Sequence, residues 1–151
     1  MNHPHQAVAV QYAFMAEGIP GEDAIRQWVL LALPQQRKDS ELTVRVVDEA
    51  EMTALNRQFR GKDGVTNVLS FPYEAVGGMA SGLLGDVVIC APVVASEAIA
   101  QNKSLLAHWA HMVIHGVLHL LGYDHHDEED AQEMEAREAE LLASLGYVNP
   151  Y

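Results

Sequence analysis

Two periods of hydrophobic and polar positions run along this chain, and the places where one gives way to the other mark its elements. Ala7 to Ala13 alternates and predicts a strand. After a turn at Gly18-Ile-Pro-Gly21, residues Ile25, Trp28, Val29, Ala32 and Leu33 recur at helical spacing. They predict a helix from Glu22 to Leu33, with acids at its positive end and Pro34 as its stop. Gln35 to Ser40 is a polar loop. Period two returns from Glu41 to Val47, where Leu42, Val44 and Val46 share one face. Asp48 with Glu51 three positions on reads as a capping box, opening a helix that buries Met52, Leu55 and Phe59.

Arg60 to Gly64 is a basic loop with two glycines, and Asn67 to Phe71 is a strand closed by Pro72, which suits a sheet edge. Glu74 to Gly82 is glycine-rich and reads as mobile. Leu84 to Ala91 is an apolar, β-branched strand, and Pro92 suits the first turn of a helix running to about Gln101. Ser104 caps a helix to Leu121 that is apolar almost all round, which predicts a buried central helix. Asp127 caps a last, acidic helix burying Met134, Leu141, Leu142 and Leu145. This order predicts a single α+β domain over residues 1–151, with a four-stranded mixed sheet and about five helices. The strand order does not follow from the pattern.

Composition narrows the setting. A chain of 151 residues is large enough for one real core, and 49% hydrophobic with 20% charged residues fits a soluble globular protein. No apolar run approaches the ~20 residues of a membrane span, and the N-terminus shows no leader. Cys90 is the single cysteine, so no internal disulfide forms and a cytoplasmic protein is expected. The net charge of −12 is awkward for a nucleic-acid partner, because phosphate binding is largely electrostatic. The charges are segregated, however. Acids crowd the span from Asp127 to Glu140, whereas Arg45, Arg57, Arg60 and Lys62 supply four of the nine basic residues. Arg60 has a guanidinium suited to gripping a phosphate through two parallel hydrogen bonds.

The chemistry gathers between His115 and His125. His115 and His119 stack on one helix face, about 6 Å apart along the axis. Gly122 suits a helix stop, and the chain then delivers His125. Two ligands from a helix and one from the following turn leave one tetrahedral corner open, as in a catalytic zinc site. His111 extends the stripe, but it stands ~12 Å along the axis from His119, which disfavours it as the third ligand and suits a supporting role. His126 adjoins His125, and either residue could ligate. Asp124 could orient a ligand or simply hold the turn. Zinc peptidases share this spacing in His-Glu-x-x-His-x-x-Gly-x-x-His, with a glutamate base beside the first histidine. Gly116 stands at that place here, so the metal cage is kept and the peptidase base is missing. A residue with no β-carbon there leaves room for a substrate phosphate or another backbone.

The run His115-Gly116-Val117-Leu118-His119-Leu120-Leu121-Gly122-Tyr123-Asp124-His125 resembles the signature of the YbeY endoribonucleases. Three further blocks resemble the same family: Leu55-Asn56 with Phe59-Arg60-Gly61-Lys62-Asp63, then Thr66 to Pro72, then Leu84-Gly85-Asp86-Val87. Phe59 stands where tyrosine is frequent. The resemblance, to the proteobacterial type, covers about residues 42–147. It implies a single-strand-specific zinc endoribonuclease acting in 16S ribosomal RNA 3′-end maturation and ribosome quality control. It selects His115, His119 and His125 as ligands of one zinc ion per chain that activates a water, and Arg60 as a catalytic phosphate contact. The implied partners are the 16S precursor, in single-stranded regions, and the small ribosomal subunit, with no membrane and no DNA. The rival expectations are a zinc peptidase-like hydrolase and a non-catalytic ribosome assembly factor with a structural zinc.

Overall fold

The computed structural model describes residues 7–73, 82–124 and 126–151. The glycine-rich span that the sequence marks as mobile falls, up to residue 81, outside them. Strands β1 (Val8–Tyr12), β2 (Glu41–Val47), β3 (Val68–Pro72) and β4 (Leu83–Cys90) form one sheet in the order β1-β2-β4-β3. The first three in that order are parallel and β3 is antiparallel, so the sheet is mixed. Helices α1 (Glu22–Ala32), α2 (Glu49–Arg60), α3 (Ala91–Ala100), α4 (Leu105–Leu120) and α5 (Glu128–Ser144) complete the expected α+β architecture. A short 3₁₀ turn, Gln35–Arg37, occupies the polar loop after α1.

The alternation of β2 works as it reads. Leu42, Val44 and Val46 join Val87 and Ile89 of β4 in a large core beneath α1 and α4, to which α5 adds Met134, Leu141 and Leu142. The opposite sheet face carries a smaller core of Leu69, Val88 and Cys90 under Met52 of α2. α4 runs through the middle, touching both β3 and β4 of the sheet as well as α1, α3 and α5. Its N-terminus is capped by Ser104, whose Oγ accepts from Ala107 N at 3.2 Å. Between His108 and Leu120 every residue is buried except His115 and His119. The helix ends as the sequence predicts: Gly122 takes a φ of 105°, and Tyr123 N reaches back to the Leu118 carbonyl at 3.0 Å.

Three local expectations need correction. Phe59 is not buried. It is 57% exposed and sets its ring edge-on to Phe71 at 5.2 Å, because Met52 and Asn56 take the inward face of α2. Leu145 is 37% exposed, since α5 closes one residue earlier and Leu145 is only its C-cap. The box at α2 is half formed. Asp48 accepts from Glu51 N at 2.9 Å, but the Glu51 carboxylate turns to Arg45, meeting Nε at 2.6 Å and Nη2 at 3.1 Å. A bidentate guanidinium outbids a single backbone N–H for a carboxylate.

Candidate active site

α4 places His115 and His119 one turn apart, with ring centroids 4.6 Å from each other. Both open onto a cavity of about 670 Å³ whose far wall holds Arg60, Thr66, Asn67 and Ser70, and whose floor includes Gly122, Tyr123 and Asp124. The cavity thus joins the end of α2, the start of β3 and the end of α4. Each wall is pinned. Ser70 Oγ donates to the Gly116 carbonyl at 2.9 Å, fastening β3 to α4 beside the histidines. Asn56, buried on α2, donates to the Gly64 carbonyl at 3.0 Å and shapes the loop that follows Arg60. Asn67 donates from Nδ2 to both carboxylate oxygens of Glu97, at 3.1 and 3.2 Å, and Glu97 also meets Nε2 of the buried His108 at 2.9 Å.

Gly116 faces the sheet. A β-carbon built there would lie 2.5 Å from Val87 Cγ1 and 3.4 Å from Ser70 Oγ. The missing side chain lets α4 pack closely on β4, and the room is taken by the side chains of Val87 and Ser70 and not by a substrate phosphate or another backbone. A glutamate in the peptidase position would collide with the Val87 side chain.

The local positive patch is smaller than the sequence suggests. Arg45 is tied to Glu51, and Arg57 lies 3.8 Å from Asp63. Arg60 has no carboxylate partner among the described residues, and it is the one of these four cations that lines the cavity. Asp124 also lines it and pairs with His126 Nε2 at 2.8 Å, so the exposed His126 is engaged there. His125 lies outside the described residues.

Behind His115 stands a group that the sequence reading passed over. Glu138 of α5 is 0% exposed. Its Oε2 meets His115 Nδ1 at 2.8 Å, while its Oε1 meets His111 Nε2 at 2.6 Å and accepts from the Tyr151 hydroxyl at 2.5 Å. Burial pushes this carboxyl up. The hydrogen bonds from His111 and His115, the electrostatic pull of His115, and the Tyr151 hydroxyl outweigh it and hold the group at about 2. The Tyr151 phenol is pushed up in turn, by burial and then by Glu138. One ligand atom from each of His111, His115 and Glu138 lies within 4.8 Å of the others, a spacing at which the three could hold a metal ion. The signal was present in the sequence: Glu138 falls on the Met134, Leu141 stripe at i, i+4, i+7, so it shares the inward face of α5.

A sequence model of the family Endoribonuclease YbeY matches residues 19–146. The chain belongs to the YbeY endoribonuclease family. Membership supports an RNA-cleaving role in ribosomal RNA processing, for which the cavity brings the family-like blocks around Arg60 and Ser70 against the histidine helix. The fold is similar to the solution structure of TM1509 from Thermotoga maritima, with a TM-score of 0.60 and 25% sequence identity, over 92% of this chain and 91% of that one. Among the described residues no helix is long and apolar enough to cross a membrane.

Proposed function

We propose that this protein is a zinc-dependent, single-strand-specific endoribonuclease acting in 16S ribosomal RNA 3′-end maturation and ribosome quality control, in contact with the small subunit. The observation that carries the reading is the shared cavity: the two incompletely buried histidines of α4 open onto the same space as the guanidinium of Arg60, which has no carboxylate partner among the described residues. The donor set fits zinc. Two imidazoles stand one helical turn apart, and the nearer ring is backed by a buried carboxylate, the support that metal-binding histidines commonly have. His115, His119 and, from the signature, His125 would hold the ion. When bound, zinc supplies a Lewis acid that brings the pKa of water toward neutrality and draws charge from a phosphate.

The chain's own residues do the rest. Arg60 offers two parallel donors to the phosphate oxygens, where negative charge grows in the transition state. Thr66 and Asn67 add polar groups to the same wall, and Glu97 holds the Asn67 amide in place. A peptidase reading is weakened because Val87 fills the direction that a base at position 116 would need. The test is cleavage by zinc-loaded protein of unstructured RNA, with the same RNA annealed to its complement and casein as controls. Single strands should be cut, the duplex and casein spared, and His119→Ala should lose both metal and cleavage. Cleavage of casein, or full zinc content in His119→Ala, would overturn the assignment.

A further inference from the structure

We propose that Glu138 is a positioning residue: its buried carboxylate fixes the orientation and tautomer of His115 so that Nε2 is the nitrogen turned to the metal. This rests on the reading of His115 as a ligand.

An ionised carboxylate only accepts hydrogen bonds. With Glu138 Oε2 2.8 Å from His115 Nδ1, the ring proton sits on Nδ1 and the lone pair is left at Nε2. The other carboxylate oxygen is occupied separately, by His111 Nε2 at 2.6 Å and the Tyr151 hydroxyl at 2.5 Å. His111 therefore carries its proton on Nε2, the opposite tautomer, although it lies one turn away on the same helix. That proton, directed at Glu138, keeps Nε2 of His111 from serving as a ligand atom, and His111 acts by steadying the carboxylate. Burying an unpaired carboxylate is costly. Glu138 is the acid of α5 that is wholly buried, and its partners lie on α4 and at Tyr151. It thus ties the acidic helix to the ligand helix at the ligand itself.

The experiment begins with wild-type protein freed of metal, at pH 8, using nitrogen-detected NMR of the histidine rings. The expected result is an Nδ1–H form for His115 and an Nε2–H form for His111. An Nε2–H form for His115 overturns the proposal without any variant having to fold. Glu138→Gln, which keeps the shape, is then compared by zinc competition against a chromophoric chelator. One zinc per chain should remain, with affinity reduced 10- to 100-fold, and the His115 ring should show a mixture of tautomers. Unchanged affinity with an unchanged tautomer in folded Glu138→Gln would refute a positioning role. A third pattern is zinc lost wholly from both Glu138→Gln and His111→Ala but kept by His119→Ala. It would also refute it, by making Glu138 a ligand, and would remove the proposed ligand set at the same time. Zinc lost from His119→Ala with no effect at Glu138 would leave the function standing and this inference overturned.

Discussion

Arg60 stands on the last turn of α2 with Gly61 turning the chain behind it, and no described carboxylate neutralises it. An exposed surface side chain contributes little to folding, so its removal separates function from structure. Arg60→Ala should unfold at the wild-type denaturant midpoint and keep its zinc, while RNA cleavage falls about 100- to 1000-fold, the usual loss on removing a transition-state donor. Lysine at 60 should restore part of it, because an ammonium lacks the planar pair of donors. Cleavage at the wild-type rate in Arg60→Ala would leave the guanidinium with no part in the reaction. At this scale the sequence was legible where a motif fixed the spacing. The spacing of His115 and His119 predicts one helix face, and α4 sets their rings 4.6 Å apart. Glu138 was not found, because its neighbours Glu135 and Glu140 make it look like one more solvated acid. Only the phase of Met134 and Leu141 sets it apart, and the pattern does not say which side chain waits on the far helix.

Among the elements, α4 shows where helix preference and packing disagree. Alanine favours a helix over glycine by about 1 kcal/mol, and from the sequence Gly116→Ala is expected to be stable. The structure reverses that sign. The new methyl would meet Val87 Cγ1 at 2.5 Å on a strand with no slack, and overpacking of this kind costs about 1–3 kcal/mol. Gly116→Ala should lower the urea midpoint, and the loss should shrink in a Val87→Ala background, giving a measurable coupling in a double-mutant cycle. Equal effects in both backgrounds would show that the contact does not decide the cost. Element positions were largely readable, since β2 alternates and α4 is opened by its Ser104 cap and closed before Gly122. The outward turn of Phe59 was not, because its helical phase admits both it and Asn56, and the loop that Asn56 anchors to Gly64 decides between them.

For the whole molecule, a titrating group deep in the packing contributes to the response to acid. His108 is buried between α3 and α4, and desolvation lowers its pKa from 6.5, against the pull of Glu97. The unfolded chain therefore binds this proton before the folded one does, so stability rises with pH through the window. His108 contributes fully above about pH 6.5, and its contribution is lost as pH falls from there toward the folded value. Urea midpoints of metal-free protein should drop between pH 7 and pH 5 by more in wild type than in His108→Gln. A variant with the same slope would assign the loss to other groups. The global topology was the least legible part. β4 has one parallel neighbour, β2, and one antiparallel neighbour, β3, but its apolar pattern suits other neighbours equally well, and the choice is made by which helices must cover which face.

The order β1-β2-β4-β3 has a consequence for how the cavity comes into being. β4 inserts between β2 and β3, pairing Val44 with Val87 in parallel and Leu69 with Val88 antiparallel, and the parallel pairing closes a long loop before any packing rewards it. Arg60 lies on one side of this insertion in the chain, and His115 with Glu138 on the other. A nascent chain that has emerged only as far as β3 holds the guanidinium without the imidazoles. Even a chain that includes α4 lacks the carboxylate behind His115 until α5 arrives. The cavity proposed for cleavage is therefore completed last: a half-made copy lacks either the histidine helix or the carboxylate that backs it.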